Sequence, residues 1–179
     1  DELTTRVSNI KDKIKLTCII AGNDPSSMSY LSGIKKNGEK LGIDVEIVQC
    51  GTDISETDFV ELLTKTNESS TNGILIQVPL PDQIDRFTVA KFIDFTKDVD
   101  GISPYNQGLI YYGKPFMIPA TAWACDIALK DLSAQLNIPL KGKKAVVIGR
   151  SITVGKPAFH LLLKRDLTPT IVHTKTNDI

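Results

Sequence analysis

"KLTCIIAGNDPSSMSYLSGIKKNGEKLGIDVEIVQC", residues 15–50, is the stretch whose reading decides the fold. Its opening "KLTCIIAG" (15–22) is a short apolar run that stops at a glycine, the pattern of a strand buried on both faces. "NDPSS" (23–27) supplies turn and cap residues. Over 27–41, Tyr30, Leu31, Ile34 and Leu41 give a helical stripe, and Gly42 is a natural stop. Gly33 and Gly38 lower helix propensity, but both suit places where something packs closely. "DVEIVQC" (44–50) alternates and then meets a glycine, which predicts a second strand.

The same rhythm continues outward. "SETDFVELLTKTN" (55–67) opens on a capping-box-like Ser55 to Asp58 pair and keeps helical spacing through Phe59, Leu62 and Leu63. "GILIQVPLP" (73–81) reads as a third strand running into prolines, and 88–95 as a short helix. Strand, helix, strand, helix, strand predicts an α/β protein with an open, mostly parallel sheet and helices on both faces. Ligands of such sheets sit beyond the carboxyl ends of the strands, where "NDPSS", "GTDIS" and "QVPLP" lie.

Residues 96–123 are rich in Gly, Pro and aromatic side chains with little periodicity, the signature of a functional segment or a linker. Residues 124–137 read as a helix joining two parts. A strand (144–149), a glycine-containing turn, a helix (154–165) and a strand (170–173) then give the first half of a nucleotide-binding unit. A parallel sheet that stops so early has no closed core, so either a partner covers it or most of this second domain is absent. The chain lacks an initiator methionine and starts on polar residues, so the expectation is that some of its N-terminus has been removed.

The chain has 179 residues, 41% of them hydrophobic, enough for one ordinary core or two small ones. Lys plus Arg and Asp plus Glu both count 21, which gives no electrostatic reason to expect nucleic acid or an anionic membrane as partner. No stretch approaches 18 apolar residues. Cys18, Cys50 and Cys125 are far apart and odd in number, and two of them lie in apolar, strand-like runs, which reads as buried thiols in a reducing compartment rather than a disulfide scaffold. A soluble protein of the cytoplasm is the expectation, with an organelle left open.

"VVIGRSITVG" (146–155) is the most readable site. An apolar strand runs to Gly149, and Gly155 stands where the next helix begins, so helix amides point at whatever lies above the strand. The pattern suits a pyrophosphate, but Ser151 replaces the second glycine of the usual fingerprint, so an ordinary α/β turn stays open. At the end of the next strand "HTKT" (173–176) offers hydroxyls and a cation, with Arg150 in the first turn and an acid, Asp178, only later. That favours NADP over NAD; solvent-facing polar residues are the alternative.

Gln77, inside an apolar strand, is a buried amide that must find partners, either a heterocycle edge or neighbouring backbone. Asp98 and Asp100 would face one way on a strand and serve acid–base or metal chemistry; a turn at Gly101 would separate them. His160, Trp123 and Met117 read as packing or helix-surface residues. With two histidines and scattered cysteines, no zinc site is expected.

Five segments in order, 21–43, 73–81, 97–110, 119–124 and 146–163, make the chain resemble the methylenetetrahydrofolate dehydrogenase/cyclohydrolase family of one-carbon metabolism. "QVPLP", "KDVDG" and "GRSITVGKP" carry most of the likeness. The resemblance implies two open parallel-sheet domains. The first, 1–122, is a folate-binding catalytic domain; the second, 123–179, is a linking helix and part of an incomplete Rossmann-like domain for NADP, or NAD. It further implies tetrahydrofolate derivatives as ligands, a cleft between the domains, a homodimer formed through the second domain, and a longer full-length protein.

Residue by residue, Tyr30 matches the tyrosine beside the folate, Gln77 the glutamine that works with a catalytic lysine, and Asp100 the aspartate that holds the pterin. Val78 and Pro79 fall within the substrate-binding motif. Gly149, Arg150, Ser151 and Gly155 match the cofactor turn, and Thr174 a hydroxyl near the ribose phosphate. "PATAWA" (119–124) keeps Thr121 but has Ala120 and Ala122 where the family has other residues.

The lysine itself is missing: Ile34 stands in its place, four residues beyond Tyr30. Lys35 is rotated about 100° from position 34 on a helix, so it points away from a face shared by Tyr30 and Ile34. Dehydrogenation needs orientation more than a base, whereas cyclohydrolysis must move protons. The resemblance therefore implies a retained dehydrogenase with the cyclohydrolase lost or weak. A bifunctional enzyme with Lys35 serving and a non-catalytic folate or nucleotide binder are the alternatives.

Overall fold

The computed structural model describes residues 2–10 and 12–177. They form two compact units that divide between Asp98 and Val99.

The first unit contains α1 (Glu2–Ser8), β1 (Lys15–Ala21), α2 (Pro25–Leu41), β2 (Asp44–Cys50), α3 (Glu56–Glu68), β3 (Gly73–Ile76) and α4 (Arg86–Phe92). Its sheet is parallel in the order β2-β1-β3, with Lys15 opposite Asp44 and Leu16 opposite Gly73. Central β1 is hydrogen-bonded on both edges and covered on both faces, so Thr17 to Ala21 are all buried and the strand is a continuous apolar run. Edge strand β2 alternates instead. Leu31 of α2, Phe59 and Leu63 of α3, and Val89 of α4 complete the core.

Cap chemistry sets the helix starts. The Asp24 carboxylate accepts from Ser27 N–H at 2.8 Å with Pro25 behind it, so α2 begins two residues before the predicted start. Gly42 closes it in the left-handed region at φ 77°. Ser55 caps α3 by accepting from Asp58 N–H at 3.1 Å, as its spacing predicts.

These expectations need correcting. The third strand ends at Ile76 rather than continuing to residue 81, because two prolines, the first after a cis Val78–Pro79 bond, cannot extend a ladder. Helix α5 (Pro104–Tyr111) lies in the stretch that shows no periodicity; Ser103 caps it and Pro104 opens it. Cys50 is half-buried rather than buried, and desolvation raises its thiol pKa. Cys18 is buried and Cys125 exposed.

The second unit holds α5, α6 (Ala120–Leu136), β4 (Lys144–Ile148), α7 (Gly155–Lys164) and β5 (Thr168–Val172). Strands β4 and β5 pair in parallel. This compact unit starts ahead of the 122/123 division placed from the sequence, because α5 and α6 both pack on α7. Tyr111 of α5 meets the His160 ring edge-on at 5.2 Å, and Arg165 forms a two-pronged ion pair with Asp126 of α6, its Nη2–Oδ2 arm at 2.6 Å. Trp123, which reads as packing in the sequence, is half exposed on α6. Val146 and Ile148 of β4 are exposed. No helix among the described residues is long and apolar enough to cross a membrane.

The two α2 glycines have different reasons to be there. A Cβ on Gly38 would collide with Val45 Cγ2 and come within 3.3 Å of the Ile43 carbonyl, whereas one on Gly33 would meet nothing within 4 Å. Gly38 is therefore fixed by the close approach of α2 to β2, but Gly33 only forfeits the ~1 kcal/mol that alanine would add to a helix. Gly38→Ala is expected to lower the unfolding free energy by about 1–2 kcal/mol, the net of overpacking over helix propensity; a urea titration measures it.

Candidate functional site

On α2, Tyr30 and Ile34 lie one turn apart and share one face. With Ser26, Ser29, Gly33 and Asn37 they line an open groove of about 670 Å³. Tyr30 is 60% exposed and Ile34 half-buried. Lys35 and Lys36 are exposed and do not line the groove. Tyr30 is the only titratable side chain among those that do, so the groove offers an aromatic face, an aliphatic floor and an amide, but no amine, imidazole or carboxylate.

Gln77, Val78 and Pro79 follow β3 at its carboxyl end and do not line that groove. Gln77 N–H donates to Ile19 C=O at 2.8 Å, which ties this corner to β1. The side chain is not the buried strand amide that the sequence predicts: it is half-buried, past the strand end, and its Nε2 donates to Val78 C=O at 2.7 Å.

Asp98 is fully buried on a bridge to Ile74 in the first unit; Asp100 is half-buried in the turn that opens the second. The turn alternative therefore holds for this pair. Gly101, at φ 59°, makes the bend and lies close to Pro119, whose Cδ a Cβ would approach to 3.1 Å.

In the second unit the carboxyl edge of β4 and β5 gathers the loop residues. Gly149, at φ 118°, donates its N–H to Val172 C=O at 2.8 Å, and a Cβ there would meet nothing within 4 Å. Gly155 is the opposite case: a Cβ would strike the Gly149 carbonyl and sit 2.8 Å from Arg150 N, so only glycine lets α7 start this close to the loop. An exposed Arg150 and a Ser151 hydroxyl stand above them. Ser151 Oγ accepts from Val154 N–H at 3.1 Å and Gly155 N–H at 3.3 Å, and Lys156 N–H donates to Ser151 C=O at 3.0 Å. Helix amides that the sequence assigns to an anion are thus met by Ser151, leaving the helix dipole as the electrostatic attraction.

On the same edge "HTKT" is a turn closed by Thr176: its Oγ1 accepts from His173 N–H at 2.9 Å and its N–H donates to His173 C=O at 2.7 Å. Thr174 and Lys175 are exposed on it. The bare Gly149 and the Arg150, Thr174 and Lys175 side chains fit a phosphate-bearing dinucleotide. Asp178 lies outside the described residues. Among the described residues no three His, Cys, Asp or Glu side chains gather as metal ligands.

Residues 1–100 match the catalytic domain of tetrahydrofolate dehydrogenase/cyclohydrolase, and residues 119–179 match that family's NAD(P)-binding domain. The chain belongs to this family. Bifunctional protein FolD of Heliobacterium modesticaldum is 37% identical over 182 residues, covering 99% of this chain and 62% of its own length. A 5,10-methylenetetrahydrofolate dehydrogenase from the silkworm, Bombyx mori, superposes with a TM-score of 0.89 at 32% identity, over 99% of this chain and 64% of its own. The Trypanosoma brucei dehydrogenase-cyclohydrolase, solved with NADP cofactor and inhibitor, gives 0.85 at 28% identity, over 98% and 60%. The chain thus spans less than two thirds of the length of these family members.

Gly33, Asn37 and the two serines of the α2 groove escape a motif reading, although Ser26, Gly33 and Asn37 fall at helical spacing from Tyr30. Two outcomes test the scaffolding of the site. Gly155→Ala is expected to lower the stability of the second unit by about 1–3 kcal/mol, because backbone rather than a flexible side chain must give way; circular dichroism melts read this. The Asp24 carboxyl, which caps α2, is held below its ordinary value of 3.8 chiefly by the Ser27 N–H. Its stabilising effect is complete above the unfolded pKa and lost as pH falls through the lower folded value. The stability gap between wild type and Asp24→Ala should therefore narrow between about pH 6 and pH 2.

Proposed function

We propose that this chain is part of a one-carbon-metabolism enzyme that acts on tetrahydrofolate derivatives as a methylenetetrahydrofolate dehydrogenase and methenyltetrahydrofolate cyclohydrolase. NADP is the cofactor of choice and NAD the alternative. The observation that carries this is the two-part family match, in order along the chain. The sequence places the dehydrogenase alone first; the names of the bifunctional relatives favour both activities.

In this reading residues 1–122 bind folate and 123–179 begin the nucleotide-binding domain, through which the protein dimerises. Tyr30 offers its ring to the folate, with Ile34, Val78 and Pro79 as apolar walls. Gln77 and Asp100 supply an amide and a carboxylate for the pterin edge. Gly149 lets the dinucleotide backbone come close; Arg150 and Thr174 hold its phosphates, and Ser151 and Gly155 keep the loop in shape. When bound, the nicotinamide supplies the electron acceptor for oxidation of the methylene bridge. The chain's own part is orientation and exclusion of water.

One observation favours a second reading, dehydrogenase without cyclohydrolase. Ile34 stands at the position that the resemblance gives to the family's lysine, and neither Lys35 nor Lys36 lines the groove. Opening the methenyl ring with water requires proton movement, and a positioned acid–base group is worth about 10²–10⁴-fold.

Two absorbance assays on the purified protein separate the readings. One follows methenyltetrahydrofolate formation from the methylene compound with NADP or NAD; the other follows methenyl hydrolysis without nucleotide. Activity in both is the expected outcome for the bifunctional enzyme. Turnover in the first alone, with hydrolysis gained at least about tenfold in Ile34→Lys, assigns the second. A protein that neither binds reduced folate nor turns it over would overturn both.

A further inference from the structure

We infer that Gly33 is a ligand-approach position in the α2 groove, kept bare so that a planar ring of the bound folate can lie flat on the helix backbone between Tyr30 and Ile34. This rests on the folate reading of the groove and adds a residue to it. Gly33 sits in mid-helix, away from both caps, with ordinary helical backbone rather than the left-handed conformation that demands glycine. A Cβ there would touch nothing within 4 Å. Gly38, five residues on, shows what a structurally required glycine looks like in the same helix, with Val45 and the Ile43 carbonyl pressed against it. Gly33 therefore weakens α2 with no compensation from backbone or packing within its unit.

What distinguishes Gly33 is its place: it is exposed and lines the groove together with Tyr30, Ile34 and Asn37. At about 100° per residue these four positions fall within one face of the helix, with Gly33 beside the aromatic ring and the aliphatic floor. A ring in van der Waals contact with backbone stands about 3.5–4.0 Å from it. A methyl group at position 33 would occupy that layer. Tyr30 then provides an edge or face for the ring, Ile34 an apolar surface where an ammonium would otherwise need solvation, and the Asn37 amide a polar group one turn further on.

The test pairs two readouts that a merely structural glycine would not separate. The whole chain and its Gly33→Ala and Gly33→Leu variants are melted and titrated with 5-formyltetrahydrofolate, a stable reduced folate. Gly33→Ala is expected to raise the melting temperature by about 2–4 °C while weakening folate binding about tenfold or more, and Gly33→Leu to weaken it further. If Gly33→Ala is stabilised and binds as tightly as wild type, the inference fails and the folate reading of the groove stands. A lower melting temperature together with weaker binding would also overturn it, because the glycine would then be structural. If wild type takes up no reduced folate, the inference and the reading beneath it fall together.

Discussion

Strand β1 is the constraint on which the first unit depends. It is paired in parallel on both edges, with β2 and with β3, and helices cover both of its faces. A parallel interior strand has no side that water can reach, so every residue from Thr17 to Ala21 must be apolar or satisfied internally. Thr17 meets the second condition: its hydroxyl pairs with that of buried Thr71 at 2.9 Å. Once β1 is fixed, all three strands point one way. Their carboxyl ends bring together Gly22 and Cys50 through a 2.8 Å backbone bond, and Gln77 and Ile19 through another.

The helix that leaves β1 inherits its position from that edge. α2 is anchored at its start by the Asp24 carboxylate and at its end by the left-handed Gly42, and Gly38 lets it settle onto Val45 of β2. With one face buried through Leu31 and Gly38, the face carrying Tyr30, Ile34 and Asn37 is directed into the groove. Ile34 is half-buried there and contributes to the groove rather than to the core.

The second unit uses close backbone approach in place of a large core. Gly155 brings α7 against the Gly149 carbonyl, and Ser151 bonds the first amides of the helix. The loop is thereby held in shape by the chain's own contacts. On the other side of α7, the Arg165–Asp126 pair and the Tyr111–His160 contact fix α6 and α5. Burial lowers the pKa of the His160 imidazole.

Periodicity and cap chemistry determined most of the elements. The apolar run of β1, the alternation of β2, the Ser55–Asp58 pair and the two glycines bounding the β4–α7 loop are local features, and local physics is written in local sequence. Tertiary structure alone decided where the third strand stops, that Gln77 satisfies its amide on Val78, and that Asp98 is buried while Asp100 lies in the turn. It also decided that Gly38 is a packing glycine and Gly33 is not, since the difference lies in Val45 and Ile43, which reach only one of them. The physical reason is the same in each case: a residue's propensity is set by its own atoms, but its burial and partners are set by neighbours that the chain brings back from elsewhere.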